Sequence, residues 1–308
     1  MYRVFTRFTM DSVDCMEGAT VYGASFTMRI HKSTFSCRFA VMSLYLSVLF
    51  FNPMALAAQE TGEPEGGDDL AKQLANPIAS LISVPIQWNV DEGLGPDDEG
   101  WRMTTNVQPV VPISISDQWN MISRTIVPIV AQEQVAGPGT SQFGLGDTLQ
   151  SLFFSPKEVG ESGIIWGVGP ALLIPSATDP ALGADKWGIG PSAVALKQSG
   201  PLTLGLLVNQ IWSVAGDDER GEISQAFAQP FITYITPEST SYSLSSEMTF
   251  DWINDQATIP VAFTVSQLTS IGDQPIQIGA GARYYVESAP SGPDWGVRVQ
   301  LTFLFPAN

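Results

Sequence analysis

The chain has 308 residues, with 31 acidic side chains against 14 basic, a formal net charge of −17, two cysteines and one histidine. So acidic a chain offers no basic face to a polyanion, which excludes nucleic acid as a partner, while 44% hydrophobic residues and a positive mean hydropathy exclude a disordered polymer. With 28 Gly and 22 Pro, and no run of eighteen apolar residues after position 57, a helical membrane bundle is excluded as well.

Cys15, Cys37, His31 and five of the basic residues all lie before Ala58. From Met28 the chain passes through Arg29, His31, Lys32 and Arg38, then an apolar run from Phe39 to Phe51, then Ala55-Leu56-Ala57. A basic stretch, an apolar core of about 7 to 15 residues and a small-residue cleavage site form a secretory signal peptide, so residues 1–57 are read as an extension plus signal, cleaved near Ala57. Translation starting at Met28 or Met42 is the simplest account of what precedes it. The remainder, about 250 residues, holds neither Cys nor His. A Ser-His-Asp triad, a Cys-His pair, Cys or His metal sites and disulfides are thereby ruled out of it. No cofactor and no metal centre is expected.

Residues 58–79 form a leader. Glu60 to Asp69 is rich in Gly and acid, and Asp68 to Leu74 predicts a short helix whose acidic start suits the helix dipole, stopped by Asn76-Pro77. Two placements remain open for it: a plug helix folded into a barrel lumen, or a periplasmic arm.

Residues 80–308 read as strands with no amphipathic helix between them. They fall at 80–90, 101–116, 120–132, 147–155, 163–175, 187–198, 202–214, 223–235, 241–252, 257–269, 276–287 and 295–305, about twelve in all. The last has the clearest pattern. Trp295, Val297, Val299, Leu301, Phe303 and Phe305 share one face; Gly296, Arg298, Gln300, Thr302 and Leu304 share the other. A length near eleven residues, with aromatics at both ends, suits a strand crossing lipid at a tilt. In 241–252, Tyr242, Leu244, Met248, Phe250 and Trp252 oppose Ser243, Ser245, Glu247, Thr249 and Asp251. Segments 120–132 and 147–155 are apolar on both faces, which leaves their orientation open.

Connections alternate between long and short, beginning with the acidic 91–100 loop and the tight Asp117-Gln118-Trp119 turn. That is the up-and-down pattern of bacterial outer-membrane barrels, with long loops outside and short turns on the periplasmic side. With these boundaries Trp88, Trp101, Trp187, Trp212, Trp252 and Trp295 lie at the long-loop end and Trp119 and Trp166 at the other, as interfacial girdles would. The expected fold is therefore all-β: a closed antiparallel up-and-down transmembrane β-barrel with a short N-terminal leader helix. An internal echo, Trp166-Gly167-Val168-Gly169-Pro170 and Trp187-Gly188-Ile189-Gly190-Pro191, puts glycines on the inner face, either to leave room for a ligand or the leader, or to let strands bend and approach closely.

Several segments carry a family resemblance. Asp69-Leu70-Ala71-Lys72-Gln73-Leu74-Ala75-Asn76-Pro77, Gln108-Pro109-Val110-Val111-Pro112, Arg124-Thr125-Ile126-Val127-Pro128, Gly144-Leu145-Gly146-Asp147, Phe153-Phe154-Ser155-Pro156, the two Trp-Gly-x-Gly-Pro copies and Phe303-Leu304-Phe305-Pro306 resemble the Gram-negative MetA-pathway-of-phenol-degradation proteins, some of which carry the label neuromedin U. The resemblance spans the whole chain after the signal. It implies an outer-membrane barrel related to transport, with a link to aromatic degradation, and supplies no catalytic residues.

The function expected is a channel or transporter for small, hydrophobic or aromatic molecules, located in the Gram-negative outer membrane. Alternation turns Asn209, Glu247, Asp251, Arg283 and Arg298 inward, and Arg124 with them, as a lumen or substrate path in which opposed charges select what passes. Expected partners are outer-membrane lipid and lipopolysaccharide, and a small-molecule solute; the oligomeric state is open. Two other functions were weighed. Asp91, Glu92, Asp97, Asp98 and Glu99 could bind divalent cations in a structural or adhesion barrel with no transport role. Glu247 and Asp251, four apart on one face, could serve as an acid and base pair in an outer-membrane enzyme, although the absence of His removes the usual hydrolase constellation.

Overall fold

The structure is a computed structural model, and it describes residues 67–306. The signal peptide, its cleavage near Ala57 and the start of the leader lie outside the described residues.

Fifteen strand segments form one antiparallel sheet, and they make a barrel of twelve staves because three staves are each interrupted once. The segments are β1 (Leu81–Leu94), β2 (Gly100–Val107), β3 (Val110–Ser114), β4 (Trp119–Glu133), β5 (Ser141–Leu145), β6 (Thr148–Pro156), β7 (Ile164–Ile174) and β8 (Lys186–Ser199). They continue with β9 (Leu202–Gly216), β10 (Ser224–Ile235), β11 (Thr240–Ser245), β12 (Met248–Asp251), β13 (Gln256–Ile271), β14 (Gln274–Glu287) and β15 (Trp295–Pro306). Each stave pairs with the next in sequence, and β15 pairs with β1 from Trp295↔Glu92 to Pro306↔Leu81, which closes the cylinder and leaves no free edge.

Proline explains two of the three interruptions. Register runs unbroken from Ser245↔Ala262 to Thr249↔Thr258, which sets Glu247 opposite Pro260; on the other side Ser245↔Phe231 and Met248↔Ala228 set Ser246 opposite Pro230. Neither proline has an N–H to give, so the ladder lapses at Ser246-Glu247 while Ser246 N still donates to Pro230 O at 3.1 Å. At Gln108-Pro109 the strand carries its own proline, and Gln108 faces Pro85, to whose carbonyl it donates at 2.8 Å. The third lapse, at Gly146-Asp147, is a one-residue shift against β4: Ile129 pairs with Leu145 but Ile126 with Leu149. That stave accordingly starts at Ser141, inside what the sequence suggests is a loop.

The two faces separate cleanly on β15, where Val299 is 47% exposed and Arg298 only 6%. Val261, Phe263, Tyr242, Leu244, Leu204, Leu206, Trp166 and Trp212 are exposed likewise, an outward apolar surface of the kind that membrane barrels carry. Trp88 departs from the girdle pattern. β1 runs on to Leu94, so Trp88 pairs with Val299 and Thr105 and stands in mid-strand.

A helix, α1 (Gly67–Leu74), precedes β1. Its Ala71 is fully buried, and Leu70 and Leu74 pack against Leu81, Leu268 and Leu304 at the end of the barrel that carries the short turns. Gln198, beside the β8–β9 turn, donates to Lys72 O at 2.8 Å. Past the helix, Asn76 Oδ1 accepts from Ile78 N, and Ile78 enters a buried cluster with Ile122, Phe153, Val194, Leu196 and Leu207. Here lies the reason why the segments around Ile122 and Phe153 are apolar on both faces: one side meets lipid and the other meets Ile78.

Candidate functional site: the lumen of the barrel

The inner wall is of two kinds. From β4 round to β10 Ile126, Leu149, Leu173, Leu207, Ile211, Phe227 and Phe231 are mixed with Arg124, Ser151, Asn209, Gln225, Gln229 and Thr233; from β11 round to β1 it is mainly hydroxyl, amide and ionic. Between them lies a cavity of about 500 Å³, bounded at one end by Gln73 to Asn76 of the leader.

The ionic groups are set by cross-strand rows. Asp91 on β1, Gly296 on β15 and Arg283 on β14 form one row. Arg283 Nε donates to Asp91 Oδ1 at 2.9 Å and its Nη2 to Asp91 Oδ2, while the Tyr285 hydroxyl donates to Asp91 Oδ1 at 3.1 Å. Gly296 is required there, because a Cβ at that position would collide with Asp91 Oδ1 and crowd Arg283 Nε. A second row holds Asn89, Arg298 and Gly281. Arg298 gives Nε to Asn89 Oδ1 at 2.7 Å and grips Glu247 with both terminal nitrogens, at 3.0 and 2.8 Å. Such fork-to-fork pairing fixes direction as well as energy. Arg283 Nη1 also stands 3.9 Å from Glu247, so one carboxylate draws on two guanidinium groups.

Across the lumen, Arg124 on β4 donates from Nη2 to Gln108 Oε1 at 2.9 Å, and Gln108 Nε2 donates to Gln87 Oε1 at 2.8 Å. Arg102 donates to Gln132 Oε1 at 2.7 Å, and Gln132 to Gln142 at 2.9 Å. The acceptors Glu247 and Gln108 both sit at the proline-made lapses of the sheet. A lapse frees a short stretch of backbone from ladder geometry, and both inner-wall arginines that line the cavity take their partner from one.

Of the residues that alternation turns inward, Arg124, Asn209, Glu247 and Arg298 line the cavity together. Arg283 stands beside it, held by Asp91. Asp251 does not join them: its carboxylate accepts from Ile253 N, Asn254 N and Asn254 Nδ2 and ties off the β12–β13 turn. Glu247 and Asp251 therefore serve separate partners and make no acid and base pair. Asp91 and Glu92 belong to β1 and not to an acidic loop, and Asp91 is committed to Arg283 and Tyr285. Among the described residues no group of three or more carboxylates is placed to hold a metal ion. The sequence does not point to Asn89, Gln87, Gln108, Arg102 and Tyr285 as lumen residues, and it places Asp91 in an acidic loop instead. For three of them a signal existed, since Ser83, Gln87, Asn89 and Asp91 alternate with Ile82, Val84, Ile86, Trp88 and Val90.

A closed up-and-down cylinder of twelve staves, greasy outside and ionic within, has the architecture of the outer-membrane β-barrels. Among solved structures the chain is similar to an outer-membrane channel of Pseudomonas putida, with a TM-score of 0.57 and 14% identity over 73% of this chain and 96% of that one. It is similar at a TM-score of 0.46 and 11% identity to outer membrane phospholipase A from Escherichia coli, over 77% of this chain and 98% of that one. At these identities the likeness bears on the fold. No protein-family model matches the chain, and no curated protein matches it in sequence.

Proposed function

We propose that the protein is an outer-membrane channel that passes small solutes through its lumen, with residues 67–79 as a plug at the periplasmic end. The observation that carries this is the cavity of about 500 Å³ inside a closed wall, part apolar and part polar with three charged groups, Arg124, Glu247 and Arg298, and with the leader packed at one mouth. Twelve strands enclose more room than the eight whose side chains fill a barrel completely. The outward aromatic and aliphatic belt supports outer-membrane lipid as its surroundings, and the sequence resemblance to phenol-degradation proteins points to aromatic solutes. The test is flux: liposomes carrying the purified protein take up small aromatic and aliphatic solutes faster than empty liposomes. Uptake equal to that of empty liposomes refutes the channel.

A further inference from the structure

The lumen is cationic in a protein that is strongly acidic. Around the cavity and the row beside it stand four guanidinium groups, on Arg102, Arg124, Arg283 and Arg298, against the two carboxylates of Asp91 and Glu247. Both carboxylates make their direct contacts with Arg283 and Arg298, the pairs on the β14–β1 side. Arg124 is different. It lines the cavity, no carboxylate of the described residues lies within ion-pair distance of it, and a neutral amide, Gln108, holds one of its nitrogens. The guanidinium keeps further N–H donors for the cavity. On the wall Ile122 and Ile126 flank it along β4, and Val110 and the small Ser151 stand opposite it on the neighbouring strands. Leu149 and Phe227 add apolar surface to the lining of the same cavity, with Asn209 beside Phe227.

We propose that this is a binding site for a small organic carboxylate, with the carboxylate on Arg124 and the apolar body on the wall from Leu149 to Phe227. No carboxylate of the described residues touches Arg124, whose charge is balanced only at a distance by Glu247, and a planar fork is the group that grips a carboxylate with two hydrogen bonds. The apolar wall selects against inorganic anions, which have nothing to bury there. The cavity lies within the range of about 300 to 1,000 Å³ that small-molecule sites occupy. Reading the bound anion as cargo rests on the channel reading; the site itself does not.

The experiment uses purified protein in detergent, with calorimetry of benzoate and of its neutral isostere benzamide, and ion conductance of the same preparation in planar bilayers. Benzoate binds and benzamide does not, and Arg124→Gln weakens benzoate by about tenfold or more, the size expected from loss of a charge-assisted hydrogen bond. Ser151→Asp sets a competing carboxylate across from Arg124 in a retained barrel and weakens benzoate likewise, which covers the case in which Arg124→Gln fails to assemble. Equal binding of benzoate and benzamide, no binding of either, or binding untouched by both variants overturns the site. Conductance distinguishes the two readings: ions that pass while benzoate and benzamide behave alike refute the site and leave the channel, whereas Arg124-dependent benzoate binding in a protein that passes no ions refutes the channel and leaves the site.

Discussion

Arg283 and Asp91 meet across an intervening strand. They lie on β14 and β1, β15 runs between them, and the residue of β15 at the crossing is Gly296. The ion pair is possible because that position has no side chain. Both partners are close to fully buried, so the pair stitches three staves at the seam where the last strand meets the first.

Gly296→Val therefore drives the pair apart and overfills the seam. Overpacking of this kind costs about 1 to 3 kcal/mol, and a separated buried ion pair adds to it. The measurement is the urea midpoint of the folded, faster-migrating form on unboiled gels, which falls for Gly296→Val and falls less for Val297→Ala, an outward neighbour.

Removing one half of the second pair exposes the same logic. Arg298→Gln leaves Glu247 without its fork and costs about 3 to 5 kcal/mol, while Arg298→Gln combined with Glu247→Gln recovers most of the loss. A double-mutant cycle on unfolding midpoints checks this; additive losses contradict the pairing.

Ile78 is the leader's anchor in the apolar half of the wall. Ile78→Ala removes about 2 to 5 kcal/mol of packing from the segment between α1 and β1. Amide hydrogen exchange over residues 67–79 rises sharply in that variant while exchange in β4 and β8 stays slow.

Outside the membrane, the loop of residues 217–223 gives a pH dependence. The Ser213 hydroxyl and then the Lys186 ammonium, 3.1 Å from Glu222 Oε1, hold the Glu222 carboxyl below the usual carboxylate range. A lowered folded-state value means the contribution is fully present above the unfolded value near 4.3 and fades as pH falls through the folded one. Protease cleavage within 217–223 increases only on strong acidification, and Glu222→Gln shows the acid behaviour at pH 7. Cleavage independent of pH from 7 to 3 contradicts the pairing.

Much of the architecture was legible because the lipid-facing strands obey a period of two, as Val297, Val299 and Phe305 against Arg298, Gln300 and Thr302 show. What the period could not reveal has physical causes. Ile122, Phe153 and Leu207 break it because the leader replaces water on that inner wall. The lapses at Gln108 and Glu247 come from prolines on neighbouring strands, Pro85, Pro230 and Pro260, and only register tells which residue each proline faces. The shift at Gly146-Asp147 serves Asp147, whose carboxylate accepts from Ala177 N at 3.2 Å and Ala184 N at 2.6 Å and so ties the stave to the β7–β8 loop. Inward direction was readable from alternation for Asn209, Glu247 and Arg298, whereas Arg124 lies in a segment apolar on both faces. Their partners were not readable, since Arg298 and Glu247 are 51 residues apart in sequence, with β13 and β14 between their staves, and meet through the curvature of the sheet.

The most direct measurement is single-channel recording with a reporter in the lumen. Ser243 lines the cavity, so Ser243→Cys in the purified protein, in a planar bilayer, places a thiol where solute must pass. The account predicts discrete current steps that shrink when a thiol-reactive cation is added and that do not shrink in protein lacking this cysteine. A bilayer that shows no steps, or steps unaffected by modification of a thiol shown to have reacted, contradicts it.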